Sequence, residues 1–244
     1  MSNSFLPARD VYRDSTYAHV VSLPLPLSNA YLIRGTRSVL IDAGGPGNSQ
    51  AILKHLSRKG ISPHDISLLL LTHGHVDHFG GAWELREQFG MPIAIHRLDA
   101  DNLRRGRNPE LHPIGLLGRV LKPVFQRLTS HPFEPDILLD GAMSLEEFGV
   151  EATVIPTLGH TPGSLSIALP TQEWITGDLV SGWPPRERHP VYHLYADSLE
   201  QVQHSIQMVI QRKPTIIYPG HGGPFEPSAV RRSFSRDIDF DTMQ

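Results

Sequence analysis

The chain has no cysteine. Disulfides are excluded, and so is any thiolate ligand. A metal here must be held by His, Asp or Glu, a donor set that suits zinc, manganese or iron. Lysine is scarce as well, four residues against eighteen arginines, and the formal net charge is −3. That balance offers no global attraction to nucleic acid or to an acidic membrane surface, so neither is an expected partner. No stretch reaches 18 apolar residues, which predicts no membrane-spanning helix. The opening "MSNSFLPARDVYRDSTYAHVV" lacks a basic segment followed by an apolar one. It predicts no signal peptide, and with the missing cysteine it points to a cytoplasmic protein. What remains is 244 residues, 39% hydrophobic and 19% charged, enough for a globular α/β protein with a sizeable core. No linker or low-complexity stretch divides it, so one domain over 1–244 is expected.

Residues 18–23, 30–34 and 38–42 alternate or run apolar and are expected to be strands, with "RGTR" turning between the last two. "SQAILKHLSRKG" (49–60) has helical spacing and ends at a glycine. "ISLLLLT" (66–72) is a continuous apolar run, as expected of a strand covered on both faces. A helix over 81–90 and a strand over 91–96 follow. Residues 98–135 break this rhythm. Ile114, Leu117, Leu121, Val124, Phe125 and Leu128 have helical spacing, and prolines at 109, 113 and 123 are expected to cut the segment into short helices. It reads as a helical, lid-like insertion. Strands resume at 137–140, 143–146, 150–155, 165–169 and 173–176, then a helix at 198–212 and a strand at 215–219. "AYLIRGTRSVLIDAG" has a loose echo in "LSIALPTQEWITGDL", each ending in an aspartate at a strand tip, Asp42 and Asp178. Two strand-rich halves of this kind suggest a two-sheet sandwich with approximate twofold symmetry.

The densest chemistry lies in "LTHGHVDHFGG", where His73, His75, Asp77 and His78 crowd the end of the apolar run. With 14 His and 14 Asp in the chain, chance would produce H-x-H-x-D-H on the order of 3 times in 1000 such sequences. Alternate residues of an extended segment point the same way, so His73 and His75 can face one ion. Asp77 and His78, past a turn, can face another. Four residues cannot fill two coordination spheres. Further donors stand beside glycines at later strand ends: His160 in "TLGHTPGS", Asp178 in "ITGDLV" and His221 in "YPGHGG". Five imidazoles and two carboxylates would leave two divalent ions with excess positive charge. That excess can hold a hydroxide, because a bound ion lowers the pKa of water to about 7.

H-x-H-x-D-H followed by "GHTPG", "TGD" and "PGHGG", and preceded by "LIDAG", resembles the metallo-β-lactamase superfamily over about residues 20–225. The resemblance implies an α/β fold, the αβ/βα four-layer sandwich of two mixed β-sheets flanked by helices. It implies two divalent ions, zinc first, with manganese or iron(II) as alternatives. His73, His75 and His160 resemble the first metal site, Asp77, His78 and His221 the second, and Asp178 the shared carboxylate. Asp42 resembles the residue that steadies the metal loop, although a turn-capping aspartate is the simpler alternative. Asp77 and Asp178 are the catalytic candidates, Asp77 orienting the nucleophile and receiving its proton.

The complete ligand set resembles the glyoxalase II and lactonase branches more than the zinc β-lactamases, although only about twenty residues follow "PGHGG". An ester, lactone or thioester, a small molecule with an acyl or other hydrophobic part, is therefore the expected substrate. A phosphodiesterase or nuclease of the same fold is an alternative. So is a mononuclear iron persulfide dioxygenase using His73, His160 and Asp178. Ser181 stands where some lactonases have a tyrosine. His189, Tyr192, His193 and Tyr195 are candidates to donate to an oxyanion, with aromatic packing as the alternative. "RRGR" (104–107) could grip an anion but reads more simply as a solvated face. His19, His55, His64, His96, His112, His131 and His204 have no matching partners and read as surface or core residues.

Overall fold

A computed structural model describes residues 19–184 and 187–242. Residues 1–18, which carry most of the stretch expected to hold no signal peptide and Ala18 of the first expected strand, lie outside them.

Two sheets form the centre. The first has six strands in sequence order, β1 (His19–Pro24), β2 (Asn29–Arg34), β3 (Ser38–Ile41), β4 (Ile66–Leu70), β5 (Ile93–His96) and β6 (Ile137–Leu139). β1, β2 and β3 pair antiparallel, and β3 to β6 pair parallel. The second sheet has five, ordered β11-β10-β9-β8-β7, from β7 (Met143–Ser144), β8 (Thr153–Pro156), β9 (Leu165–Ala168), β10 (Glu173–Gly177) and β11 (Ile216–Pro219). Only β10 and β11 pair parallel there. Both sheets are mixed, as expected.

The period-2 alternation of the strands sorts side chains between two cores. Tyr31, Ile33, Val39, Ile41, Leu68 and Leu70 pack between the sheets with Val154, Leu165, Ile167 and Ile175. Their neighbours Leu32, Leu40, Leu69 and Leu71 face the other way, against Ile52 and Leu56 of α1 (Ser49–Arg58) and Leu85 of α3 (Ala82–Phe89). The outer face of the second sheet packs Trp174 and Ile217 on Val202, Ile206 and Val209 of α6 (Leu199–Gln211) and Val230 and Phe234 of α7 (Pro227–Phe234). The order is helix, sheet, sheet, helix. Each fully buried aliphatic side chain contributes roughly 1.5–3 kcal/mol, so the three cores supply the main driving force.

The segment between β5 and β6 carries α4 (Ala100–Arg105) and α5 (Gly115–Phe125). One expectation fails here. Pro123 does not break the helix; α5 runs through it. Proline's fixed φ is helical, and its missing N–H removes a single bond in the last turn. Packing of Leu121 and Phe125 against Leu111, Leu194 and Tyr195 outweighs that loss. The strand expected at 143–146 is the two-residue β7, and the one expected at 150–155 begins only at Thr153. The helix α7, which no strong pattern announces, follows β11.

Candidate metal centre

The hairpins β2–β3 and β9–β10 each end in an aspartate, Asp42 and Asp178, on one edge of the sandwich. β4 delivers its own C-terminal end to that edge. There residues 73–75 form a loop, and the four-residue α2 (Val76–Phe79) carries Asp77 and His78. The β8–β9 connection supplies His160, and the turn after β11 supplies His221. All seven expected ligands therefore gather where strand ends open a crevice. Each is buried.

The seven form two groups. His160 Nε2 lies 3.2 Å from His73 Nε2 and 2.9 Å from His75 Nδ1. His75 has extended backbone, consistent with both histidines facing one point. In the second group His221 Nε2 lies 3.4 Å from His78 Nε2 and 3.3 Å from Asp77 Oδ2. Asp178 Oδ2 stands between them, 3.7 Å from His73, 3.5 Å from His160, and 3.4 and 3.3 Å from His78 and His221. Both Asp178 oxygens are buried without a hydrogen bond. A buried carboxylate that faces only imidazoles is costly unless one of them is protonated, and a metal cation among these atoms removes that cost. Donors about 3.3 Å apart are also what tetrahedral zinc with bonds of about 2.0–2.1 Å requires. The residues fit divalent ions.

The outward ring nitrogens of four of the five histidines are anchored. His78 Nδ1 donates to Asp42 Oδ2 (2.8 Å), His160 Nδ1 to the Tyr195 carbonyl (2.8 Å) and His221 Nδ1 to the Leu27 carbonyl (2.7 Å). His73 Nδ1 reaches the Thr72 hydroxyl (3.1 Å), which itself donates to Asp42. Such outer bonds fix the tautomer and aim the free nitrogen inward. Asp42 also accepts from the Thr72 N–H (2.8 Å) and holds a left-handed φ of 60° to do so. It is more than a turn cap.

Burial holds His73 and His75 well on the neutral side and lowers His160 too, favouring the form that ligates. Burial also opposes charge on His78 and His221. The Asp178 carboxylate, with Asp77 and, for His78, Asp42, outweighs it and raises both, His221 to about 9. Burial works to raise Asp77 and Asp178, yet the facing imidazoles hold both below the usual carboxylate range.

His193 joins this centre. Its Nε2 lies 3.3 Å from Asp178 Oδ2, a fifth imidazole on that oxygen, and burial lowers its pKa to about 3. A narrow hollow of about 10 Å³ opens at the centre, lined by His75, Asp77, Asn108, Leu111, Phe125, Trp183, His193 and Tyr195. The Tyr195 hydroxyl is buried and unpartnered, and burial and then the Asp77 charge raise it to about 12. Tyr192 donates instead to Asp237, and His189 is exposed. Arg104 is paired with Glu134 and Asp101 on the surface, and Arg105 bonds Asn102. His131 stacks on Trp83, and His112 pairs with Asp197. Sequence reasoning passed over Asp99, whose carboxylate touches both loops of the first group. The available signal was an acidic residue just past the tip of β5, on the same edge.

A profile of the Metallo-beta-lactamase superfamily matches residues 23–221. A probable metallo-hydrolase of Methanocaldococcus jannaschii is 31% identical over 199 residues, 80% of this chain and 87% of that protein. A hydroxyacylglutathione hydrolase of Shewanella loihica is 27% identical over 74% of this chain and 58% of that protein. Among solved structures, the B3 metallo-beta-lactamase BLEG-1 superposes with a TM-score of 0.67 at 24% identity, over 88% of this chain and 97% of its own. The four-layer order of helices and mixed sheets is the fold these proteins share. The chain belongs to the metallo-β-lactamase superfamily and is a metallo-hydrolase.

Proposed function

We propose that the protein hydrolyses an ester, lactone or thioester at a dinuclear centre, with zinc as the first choice of metal. The observation that carries this is the shared position of Asp178, one oxygen of which faces ligands of both groups. His73, His75 and His160 would hold one ion, Asp77, His78 and His221 the other, and Asp178 both. Two ions there would activate water at neutral pH and polarise the carbonyl it attacks. Asp77 lines the hollow, so its carboxylate can orient the attacking water and take its proton. The unpartnered Tyr195 hydroxyl, high in pKa and therefore protonated, is suited to donate to the developing oxyanion. Leu111, Phe125 and Trp183 offer apolar walls to an acyl part of the substrate. The segment 98–135, within one domain over 1–244, then acts as the lid that carries Leu111 and Phe125. The relative named for hydroxyacylglutathione hydrolysis supports a carbonyl substrate.

A rate panel on zinc-loaded and chelator-stripped protein tests this, with lactones, thioesters, β-lactams and a phosphodiester side by side. Metal-dependent turnover of lactone or thioester is expected. Cleavage of the phosphodiester alone would move the protein to the nuclease side. Turnover of none of them, with persulfide oxidation on iron loading, would replace the proposal by the dioxygenase alternative. Replacing His78 by Ala should leave the fold intact and reduce bound metal from two ions to one.

A further inference from the structure

Asp99 lies just past the tip of β5 and is 1% exposed. Its Oδ2 accepts from the backbone N–H of Gly74 at 2.8 Å and from the Thr161 hydroxyl at 2.6 Å, and its Oδ1 accepts from the Gly163 N–H at 3.1 Å. Gly74 stands between His73 and His75, and Thr161 follows His160. One carboxylate thus spans the two loops that bring the first group together, one from each half of the chain. The contact is close on both sides. A Cβ at Gly74 would lie 2.9 Å from Asp99 Cβ, and one at Gly163 would lie 2.7 Å from Asp99 Cγ. Asp42, by contrast, bonds the His78 ring itself and reaches His73 only through Thr72. The second group has its own supports in Asp42 and the Leu27 carbonyl.

From this we infer that Asp99 is a positioning residue for the first metal site. It sets the His73–His75 loop against His160 before an ion arrives, without touching a ligand ring. The inference rests on the dinuclear reading above. Outer partners that preorganise ligands are worth roughly 10–100-fold in metal affinity. Asp99→Ala removes all three bonds. Asp99→Asn can keep the two on Oδ2 but turns an amide N–H₂ against the Gly163 N–H. Thr161→Val removes one bond and leaves the carboxylate.

The experiment measures zinc and cobalt(II) affinity of the full chain by chelator competition, with the cobalt spectrum as a second readout. It is run in two backgrounds, His78→Ala, which retains the first ion, and His160→Ala, which retains the second. In the first background Asp99→Ala should weaken the remaining ion by about 10–100-fold, with Asp99→Asn and Thr161→Val in between. In the second background the same changes should move affinity less than twofold. Equal weakening in both backgrounds, or none in the first, overturns the inference. Should Asp99→Ala fail to fold, the graded pair Asp99→Asn and Thr161→Val decides by the same criterion. If the unmutated chain binds fewer than two ions, the dinuclear reading fails, and the inference with it.

Discussion

Asp42 and Gly220 show how tightly single residues are constrained at the strand-tip edge. Replacing Asp42 by Ala leaves the His78 Nδ1–H, the Thr72 N–H and the Thr72 hydroxyl without their acceptor. Orphaned buried donors cost about 1–3 kcal/mol each, partly recovered by relaxation and water. A loss of about 2–4 kcal/mol is expected, read as a lower Tm in metal-free buffer so that ion loss does not contribute. An unchanged melting curve would show that Asp42 is only a turn residue. Gly220 has a different constraint, that of space. A Cβ there would stand 2.1 Å from Asp178 Oδ1 and 2.7 Å from His78 Cε1. Gly220→Ala should therefore displace the shared carboxylate and lower ion content below that of the unmutated chain while the far-UV spectrum is kept. Full metal content with normal turnover would count against the central place given to Asp178. Such residues were legible to different degrees. H-x-H-x-D-H announces itself because its members are neighbours in sequence, on the loop after β4 and the short α2. His193 does not, because it reaches Asp178 through an irregular segment with no spacing rule.

At the level of elements, alternation decided most of what could be read. β2, β3 and β4 send odd and even residues to different cores, and that pattern is visible as soon as the apolar runs are aligned. α7 is the counterexample. It is short, and its buried residues Val230 and Phe234, one helical turn apart, make too brief a pattern to announce it until they pack on the second sheet. α5 combines both lessons. Leu116, Leu117, Val120 and Val124 of this helix are exposed, whereas Leu121 and Phe125 turn to Leu111 and Tyr195 at the hollow. The helical spacing alone does not say which stripe faces the site. Phe125→Ser should raise KM for long-chain acyl substrates at least several-fold more than for short ones. Leu117→Ser, on the outer stripe, should change neither. Equal effects of Phe125→Ser on long and short substrates would remove this helix from substrate binding.

For the whole molecule, the proposed ion site draws on both halves. His73, His75, Asp77 and His78 come from the first, and His160, Asp178 and His221 from the second. An ion bound by the folded chain and not by the unfolded one adds about 4 kcal/mol at a free concentration 1,000 times its Kd. In a chain of this length each kcal/mol moves Tm by roughly 2–4 °C. Loss of one ion should therefore lower Tm by roughly 8–16 °C and chelation of both by about twice that, and added zinc should restore it. A Tm insensitive to chelator would mean that the halves are held by their cores alone. No helix among the described residues is long and apolar enough to cross a membrane, in keeping with the composition.

Composition and pattern were enough for the absence of sulfur ligands, the two strand-rich halves, and seven candidate donors placed at or just past strand ends. These are local properties, carried by residue type, period and neighbouring glycines. The tertiary structure alone decided that one oxygen of Asp178 faces five imidazoles, that α5 passes through Pro123, and that Asp99 ties two distant loops together. Each of those depends on groups far apart in sequence meeting in a buried space. No periodicity within a segment records which distant partner will satisfy a buried charge or helix face.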